Sequence, residues 1–311
     1  MTQAPSQVAL FGECMVELQG AAFGAMQQSF GGDTLNTAVY LARCAPTVQV
    51  SYATALGDDP YSAGMLARWQ AERIDTRLVR HLPGRVPGLY AIAVDAEGER
   101  TFTYWRENAA VRAYFDLPQD QLTPLEKAAA SLDMLYFSGI SLAILSSTAR
   151  DRLFVAARTV RRHGGRVVFD NNYRPRLWPD VPTAIAAYDE AFSLSDIALI
   201  TLDDGQALYG DYDENAAMAR ALALPCPELV IKRGRHPTLV RAPAVAAVEV
   251  ATLPVPKVVD TTAAGDSFAG AYLAARLAGE GPAAAAAAGN RLAAQVIQHR
   301  GAIIARELIS G

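Results

Sequence analysis

Near its C-terminus the chain reads Asp260-Thr261-Thr262-Ala263-Ala264-Gly265-Asp266-Ser267-Phe268, and an apolar pattern with helical spacing follows over residues 269–278. A turn of small residues that leads into a helix leaves several backbone N–H groups unpaired at the positive end of the helix dipole. We therefore predict an anion hole for a phosphoryl group, formed by the backbone of Ala263, Ala264, Gly265 and Asp266. The Asp266 carboxylate would repel that group, but it makes chemical sense if it accepts a proton from an attacking hydroxyl.

The same pattern also has a purely structural interpretation. Asp266 is then an acid in the first turn of a helix, where the dipole favours it, and Thr261 or Thr262 is the N-cap. The local sequence leaves both interpretations open.

A second glycine cluster, Phe30-Gly31-Gly32-Asp33-Thr34-Leu35-Asn36, opens another predicted helix. Adjacent glycines let the backbone approach a ligand closely, and Asp33 and Asn36 offer polar groups to the hydroxyls of a sugar. Taken alone, the cluster is equally consistent with a tight turn followed by an aspartate N-cap.

Between these clusters, short apolar runs alternate with longer stretches of helical period. This pattern is typical of an α/β protein with a mainly parallel sheet that helices cover on both faces. The predicted strands are 8–12, 50–55, 134–137, 166–170, 197–201 and 228–232, and the predicted helices are 34–45, 61–73, 146–163, 183–192, 214–222, 264–278 and 282–299.

One segment departs from the alternation. Residues 89–95 and 100–106 are two β-rich runs joined by residues 96–98 with no helix between them, which predicts a β-hairpin. Tyr104 and Arg106 share one face of an extended strand, and Trp105 lies on the other. The hairpin is either a small lid or a surface hairpin whose aromatic side chains pack on the core.

Composition excludes several classes of protein. The 311 residues carry 28 basic and 32 acidic side chains, a formal net charge of −4, which gives no electrostatic reason to expect nucleic acid or an acidic membrane as partner. Three cysteines without C-x-x-C spacing support neither a disulfide framework nor a zinc site. The N-terminus lacks the pattern of a signal peptide and no long apolar run occurs, so we expect a cytoplasmic protein.

Known nucleotide-binding motifs are also missing from the sequence. No Gly-Lys dipeptide occurs, so the chain has no G-x-x-x-x-G-K-[ST] loop, and no G-x-G-x-x-G follows a predicted strand. P-loop kinases and the common dinucleotide oxidoreductases are therefore disfavoured.

The order of the remaining motifs resembles that of the ribokinase-like (PfkB) sugar kinases. Gly31-Gly32 with Asn36, then residues 170–174 (Asp-Asn-Asn-Tyr-Arg), then residues 260–266 match that family's two signatures and central motif, over residues 8 to about 302. The resemblance implies one ribokinase-like domain over residues 1–311, with a three-layer α/β/α core and a small β lid from around 12–31 and 88–107. Residues 104–108, 230–234, 259–266 and 296–304 are most similar to members that act on 2-keto-3-deoxygluconate.

The resemblance also implies a role for individual residues. Asp266 would be the general base, with the N–H groups of Ala264, Gly265 and Asp266 holding the transferred phosphoryl group. The residues implied to bind the sugar are Gly32, Asp33, Asn36, Tyr90, Tyr104, Arg106 and Arg174. Those implied to line the nucleotide side are Asn172, Arg174, Lys232, Gly234 and Asn290.

The implied reaction is phosphorylation of a terminal hydroxyl by ATP with Mg²⁺, in a homodimer or higher homo-oligomer. Many family members carry an N-x-x-E pattern that handles magnesium and phosphate, where this chain reads Thr201-Leu202-Asp203-Asp204; Asp204 would replace the glutamate, and how the metal is held stays open. A monovalent cation near Asp260 also stays open.

The choice of substrate depends on Arg106. A ketodeoxygluconate has a carboxylate, which a guanidinium binds through two parallel hydrogen bonds, so an arginine on the lid favours a sugar acid. Fructokinase or another sugar kinase of the same fold is the alternative. A non-catalytic regulator is a third possibility, but a protein that only binds sugar has no need of a base at Asp266.

Overall fold

The computed structural model describes residues 5–94, 100–243 and 245–309. Its strands are β1 (Gln7–Phe11), β2 (Met15–Gly20), β3 (Met26–Gly31), β4 (Gln49–Leu56), β5 (Val79–His81), β6 (Gly88–Val94), β7 (Arg100–Trp105), β8 (Met134–Ser138), β9 (Arg166–Asp170), β10 (Ile197–Thr201), β11 (Glu228–Arg233), β12 (His236–Ala242) and β13 (Val245–Val250). Its α-helices are α1 (Asp33–Cys44), α2 (Pro60–Ala71), α3 (Pro124–Ala128), α4 (Gly139–Ala143), α5 (Ser147–Arg162), α6 (Val181–Leu194), α7 (Leu202–Tyr209), α8 (Glu214–Leu222), α9 (Ala264–Leu277) and α10 (Pro282–Val296). Within the described ranges, no helix is both long and apolar enough to pass through a bilayer.

The main sheet has nine strands in the order β13-β12-β11-β10-β9-β8-β1-β4-β5. Neighbouring strands are parallel except where β12 pairs antiparallel with β11 and β13. Alternate residues of β1 enter different cores, with Ala9 and Phe11 in one and Val8 and Leu10 in the other. The sheet is therefore buried on both faces, as its apolar strands predict.

The α/β fold with a mainly parallel sheet is confirmed. Each predicted strand and helix overlaps an observed one, and their ends differ by three residues at most. The pattern missed β5, β12, β13, α3, α4 and α7, and it covered β2 and β3 only through the lid range of about 12–31 that the resemblance implies. Helix α7 begins at Leu202 directly after β10 ends at Thr201, so no turn residue marks the change.

A second sheet of four strands, in the order β3-β2-β6-β7, accounts for the remaining strands. Strands β2 and β6 are parallel, whereas β2 with β3 and β6 with β7 are antiparallel. The chain enters this sheet from β1, returns to α1, enters again at β6 and leaves after β7. It is attached to the main body through four connections.

The predicted hairpin corresponds to β6 and β7, with Tyr90 opposite Tyr104. Its turn at residues 96–98 lies outside the described residues. The second predicted strand was one residue too long: β7 ends at Trp105, so Arg106 follows the strand. Arg106 is buried and Tyr104 is exposed, but the Arg106 guanidinium carbon lies 5.9 Å from the centroid of the Tyr104 ring. The two-residue alternation cannot place a side chain once the chain has left the strand.

Helices α1 and α9 pack closely because Gly270 lies at their contact. A Cβ atom there would lie 2.6 Å from the Tyr40 Cβ and 2.9 Å from the Leu41 backbone nitrogen. Glycine is needed at this position for space, since neither neighbour is the flexible end of a side chain.

We expect Gly270→Ala to lower the free energy of unfolding by about 1 to 3 kcal/mol, because the added methyl group overpacks the helix contact. Denaturant titration of both proteins measures this difference. Gly205→Ala, within α7, is the matched control, since its Cβ would meet only the Asn171 Nδ2 at 3.9 Å. That control should be neutral or stabilising, and an equal loss in both variants would contradict the packing argument.

Candidate active site

A cleft of about 520 Å³ lies between the main sheet and the second sheet. Asp170, Thr201 and Lys232, at or near the carboxyl ends of β9, β10 and β11, line one side, and Tyr90 and Tyr104 of the second sheet line the other. The residues predicted from sequence that line this cleft are Gly32, Asp33, Asn36, Tyr90, Tyr104, Asn172, Arg174, Lys232, Ala263, Ala264, Gly265 and Asp266. Its size suits a small polar ligand together with phosphate groups.

The N-terminus of α9 presents backbone donors to the cleft. Ala263 is a left-handed residue with φ 60° and ψ 18°, which turns the chain sharply into the helix. The Ala264 N–H donates to the Thr261 carbonyl at 3.1 Å. The N–H groups of Ala263, Gly265 and Asp266 have no acceptor among the described residues, so three of the four predicted donors remain for an anion.

The Asp266 carboxyl group lies in the first turn of α9 and accepts a hydrogen bond from the Asn36 Nδ2 at 2.8 Å. Burial, reinforced by the negative charge of Asp33, raises the pKa of Asp266 to about 7, although the Asn36 hydrogen bond acts in the opposite direction. A carboxylate with a pKa near neutrality is suited to accept a proton. Asn36 holds it in a fixed orientation.

Asp33 and Asn172 bind each other across the cleft floor. The Asn172 Nδ2 donates to the Asp33 Oδ2 at 2.7 Å, which joins the start of α1 to the end of β9. Burial raises the pKa of Asp33, against hydrogen bonds from Ser138, Thr34 and Asn172. Both predicted ligand-binding residues are therefore already ordered by a direct contact.

The glycine pair lines the cleft, and packing within the protein gives a further reason for glycine at both positions. A Cβ atom on Gly32 would lie 2.0 Å from the Glu13 carbonyl oxygen, and one on Gly31 would lie 2.6 Å from the Tyr90 hydroxyl. The Gly32 backbone is extended, with φ 175°. The glycines are thus required because another segment of the protein packs against them.

Two cations line the cleft, and each has a carboxylate partner. The Lys232 Nζ lies 3.0 Å from the Asp170 Oδ2, and it would be 3.4 Å from a Cβ on Gly265. Arg174 lies 3.3 Å from Asp204, with half of its side chain exposed. Burial raises the pKa of Asp204, and the nearby Arg174 charge opposes that shift.

Aromatic rings of the second sheet cover the opposite wall. Tyr90 and Tyr104 stack with their centroids 5.8 Å apart, and Phe102 stacks on Tyr104 at 6.4 Å. The Tyr90 hydroxyl donates to Glu17. Phe102 was missed from the sequence, although it lies two residues before Tyr104 and so on the same strand face.

Arg106 does not line the cleft. Its Nη2 donates to the Oε2 of Glu13, and both side chains are buried. Its guanidinium carbon lies 5.9 Å from the centroid of the Tyr104 ring, which does line the cleft. Glu13 was also missed, and the available signal was a charged residue directly after an apolar strand.

Gly234 and Asn290, both predicted to line the nucleotide side, lie outside the cleft. Gly234 has φ 56° in the turn between β11 and β12, which suits glycine. Asn290 is buried, accepts from the Thr238 hydroxyl at 2.9 Å and donates to the carbonyls of Val250 and Ala251. In this structure its side chain connects α10 to the edge of the sheet.

Four carboxylates line the cleft, those of Asp33, Asp170, Asp204 and Asp266. Over the ranges that the structure describes, no three histidine, cysteine, aspartate or glutamate side chains are grouped so that they could hold a metal ion. Asp204 lies in the first turn of α7 and contacts Arg174.

A family model for pfkB family carbohydrate kinases matches residues 5–308. The chain belongs to this family. It is 46% identical over 305 residues to the 2-dehydro-3-deoxygluconokinase of Escherichia coli (strain K12), covering 97% of this chain and 98% of that protein. The protein of the same name from Dickeya dadantii (strain 3937) is 45% identical over 304 residues, covering 96% and 97%. The crystal structure of a PfkB protein from Polaromonas sp. JS666 has a TM-score of 0.81 at 25% identity, covering 94% of this chain and 96% of its own. The predicted family and its ribokinase-like fold are confirmed.

The raised pKa of Asp266 predicts how the stability of this kinase depends on pH. With a folded-state pKa of about 7 against an ordinary value of 3.8, the folded state binds the extra proton, so stability falls as pH rises through this interval. We expect Asp266→Asn to raise Tm by a few degrees at pH 8 and by less at pH 5. Thermal unfolding at both pH values measures this, and a gain that is equal at both would contradict the raised pKa.

Proposed function

We propose that this carbohydrate kinase transfers the terminal phosphoryl group of ATP to the terminal hydroxyl of 2-keto-3-deoxygluconate, also named 2-dehydro-3-deoxygluconate. The observation that carries the reaction type is the Asp266 carboxyl group beside unpaired N–H groups at the N-terminus of α9. The substrate follows from the near-full-length similarity to two proteins named for that activity.

The chemical step needs a base and a place for the phosphoryl charge. As the sugar oxygen forms its bond to phosphorus, the hydroxyl proton passes to the Asp266 carboxylate and the bond from phosphorus to the nucleotide oxygen breaks. The N–H groups of Ala263, Gly265 and Asp266 would donate to the phosphoryl oxygens. Because these donors are fixed by the helix, they need no reorganisation when charge develops.

Lys232 is the side chain best placed to assist with the phosphates. Its ammonium group lies beside Gly265 and is held by Asp170 on the far side of β10. Arg174 would contact either the phosphates or the sugar from the rim of the cleft. Gly234 and Asn290 lie outside the cleft, so we propose only that they lie near the adenine end of the nucleotide.

Magnesium fits this site as a companion of the nucleotide. Asp170 and Asp204 are the carboxylates that would contact it or its waters, and each is already shared with a cation. Mg²⁺ commonly keeps several waters and binds substrate phosphates with one or two carboxylates. When bound, it neutralises phosphate charge.

Arg106 does not line the cleft in this structure, but its guanidinium group lies 5.9 Å from the Tyr104 ring, which does. We propose that it recognises the carboxylate of the sugar acid from this position beside Tyr104. Glu13 accepts a hydrogen bond from the Nη2 of Arg106, and the Nη1 of Arg106 has no partner among the described residues. That free donor suits a carboxylate, whereas a neutral sugar offers it less.

A second candidate, fructokinase or another sugar kinase of this fold, is favoured by one observation. Glu13 already balances the charge of Arg106, so the pair as a whole attracts a carboxylate less than a free arginine would. The cytoplasmic location, the homo-oligomer and a monovalent cation near Asp260 remain predictions.

Replacing the base tests the reaction type. We expect Asp266→Asn to lower kcat by about 10² to 10⁴, since a positioned general base contributes that much, while the KM for ATP changes little. Steady-state kinetics with 2-keto-3-deoxygluconate measure both. Asp120→Asn, on the exposed surface, is the matched control, and an Asp266 variant with more than about half of wild-type turnover would disprove the assignment.

Replacing Arg106 tests the substrate class. We expect Arg106→Ala to cost about 2 to 4 kcal/mol in kcat/KM for the sugar acid, because it removes a charged hydrogen bond in a desolvated site. The loss with fructose should be much smaller. The ratio of kcat/KM for acid over neutral sugar cancels any general loss of folded protein. Equal losses for both sugars would favour fructokinase.

A further inference from the structure

The four connections between the second sheet and the main body meet at one point. Glu13 lies between β1 and β2, Gly32 lies between β3 and α1, Gly88 begins β6, and Arg106 follows β7. A Cβ atom on Gly32 would lie 2.0 Å from the Glu13 carbonyl oxygen. One on Gly88 would lie 2.6 Å from the Glu13 Oε1 and 3.2 Å from the Arg106 Cβ. Glu13 contacts all three other connections.

At this point lies a buried ion pair. Glu13 is 2% exposed and Arg106 is 7% exposed. The pair is joined only through Nη2 and Oε2, and the buried Arg106 Nε and Glu13 Oε1 have no hydrogen-bond partner in the structure described. Burying two charges costs desolvation free energy, and removing one partner of such a pair leaves an uncompensated charge. The presence of the pair is therefore weak evidence that its role is only to stabilise the fold.

We propose that Glu13 is a positioning residue that holds Arg106 at the junction of the four connections and thereby sets the second sheet over the cleft. The proposal rests on the proposed function, because Arg106 is the residue assigned to the sugar carboxylate. Glu13 has no role in the chemical step. It acts by fixing the Arg106 guanidinium and, through β2 and β6, the wall that carries Tyr90 and Tyr104.

The pairing of the neighbouring strands supports this link between Glu13 and the wall that carries Tyr90 and Tyr104. Strand β2, which begins two residues after Glu13, pairs with β6 from Met15 opposite Gly88 to Gly20 opposite Ala93. Strand β6 then pairs with β7, which ends one residue before Arg106. Gly88 and Arg106 lie at the same end of the β6–β7 hairpin, since Leu89 is opposite Trp105. A shift of the Glu13 carboxylate is therefore coupled to the end of the hairpin that joins it to the main body.

The chain offers a matched control in Glu228. This residue is also buried and also paired with an arginine, Arg276, at 2.7 Å. It lies at the first residue of β11, whereas the cleft lies at the other end of that strand. Glu228 differs in accepting from Tyr272 and from two nitrogens of Arg276. Glu228→Gln therefore removes the charge of a buried glutamate paired with an arginine, without touching the cleft.

Kinetics test the positioning role. We expect Glu13→Gln to lower kcat/KM for 2-keto-3-deoxygluconate roughly 10- to 100-fold, as small misplacements near a reacting group do, while the KM for ATP stays within about two-fold. Glu13→Asp, which keeps the charge, should recover part of the loss. Glu228→Gln should lower Tm and leave both constants within about two-fold of wild type. If Glu13→Gln only lowers Tm, or if Glu228→Gln loses as much activity, the proposal is wrong.

Amide hydrogen exchange gives a readout that does not require the substrate. We expect Glu13→Gln to speed exchange in β2 and β6 at least about ten-fold, with β9 and β10 unchanged. If wild-type enzyme phosphorylates no sugar acid but this exchange pattern appears, the proposed function fails and the positioning role stands. Unchanged exchange in β2 and β6, or equal acceleration in both sheets, would overturn it.

Discussion

The hydrogen bond from Asn36 to Asp266 is the contact on which the site depends. Its partners are 230 residues apart in sequence, at the first turns of α1 and α9. They meet because Gly270 of α9 has no side chain, which lets α9 pack directly against Tyr40 and Leu41 of α1. The orientation of the proposed base is thus a consequence of helix packing in the core, and a change that separates α1 from α9 would remove the hydrogen bond that orients its carboxyl group.

Strand order accounts for the opposite side of the cleft. Strands β9, β10 and β11 are adjacent and parallel, with Leu199 level with Asp170 and Thr201 level with Lys232. Lys232 therefore reaches across β10 to bind Asp170. Parallel strands bring their carboxyl ends to one edge, where a ligand in an open α/β sheet is expected to bind. The ion pair then holds the lysine near the start of α9.

Sequence predicted those parts of the site that depend on local structure. The turn of residues 260–266 could be recognised because a short run of small residues directly before a helical pattern is typical of a turn that leads into the helix. The Ala264 N–H was assigned to the anion, but it binds Thr261, which depends on the left-handed Ala263 rather than on spacing. Arg106 was placed on a strand face and instead turns inward to Glu13, 93 residues away in sequence. A single sequence contains no signal for such a long-range pair. The sequence predicted both strands of the hairpin, β6 (Gly88–Val94) and β7, but it placed the end of β7 one residue too late.

The charges around the cleft give a reason why the proposed phosphoryl site is built from backbone. Lys232, Arg174 and Arg106 each have a carboxylate partner. These carboxylates hold the cations in place, but they also reduce the net attraction for an incoming anion. The unpaired N–H groups at the start of α9 are balanced only in part, by the Asp266 carboxyl group in the same turn, whose pKa burial raises to about 7. Their partial positive charge would therefore remain available to the phosphoryl group, and it lies beside the carboxyl group that is proposed to accept the proton. Small residues at positions 263–265 keep side chains from separating these donors from the phosphoryl oxygens.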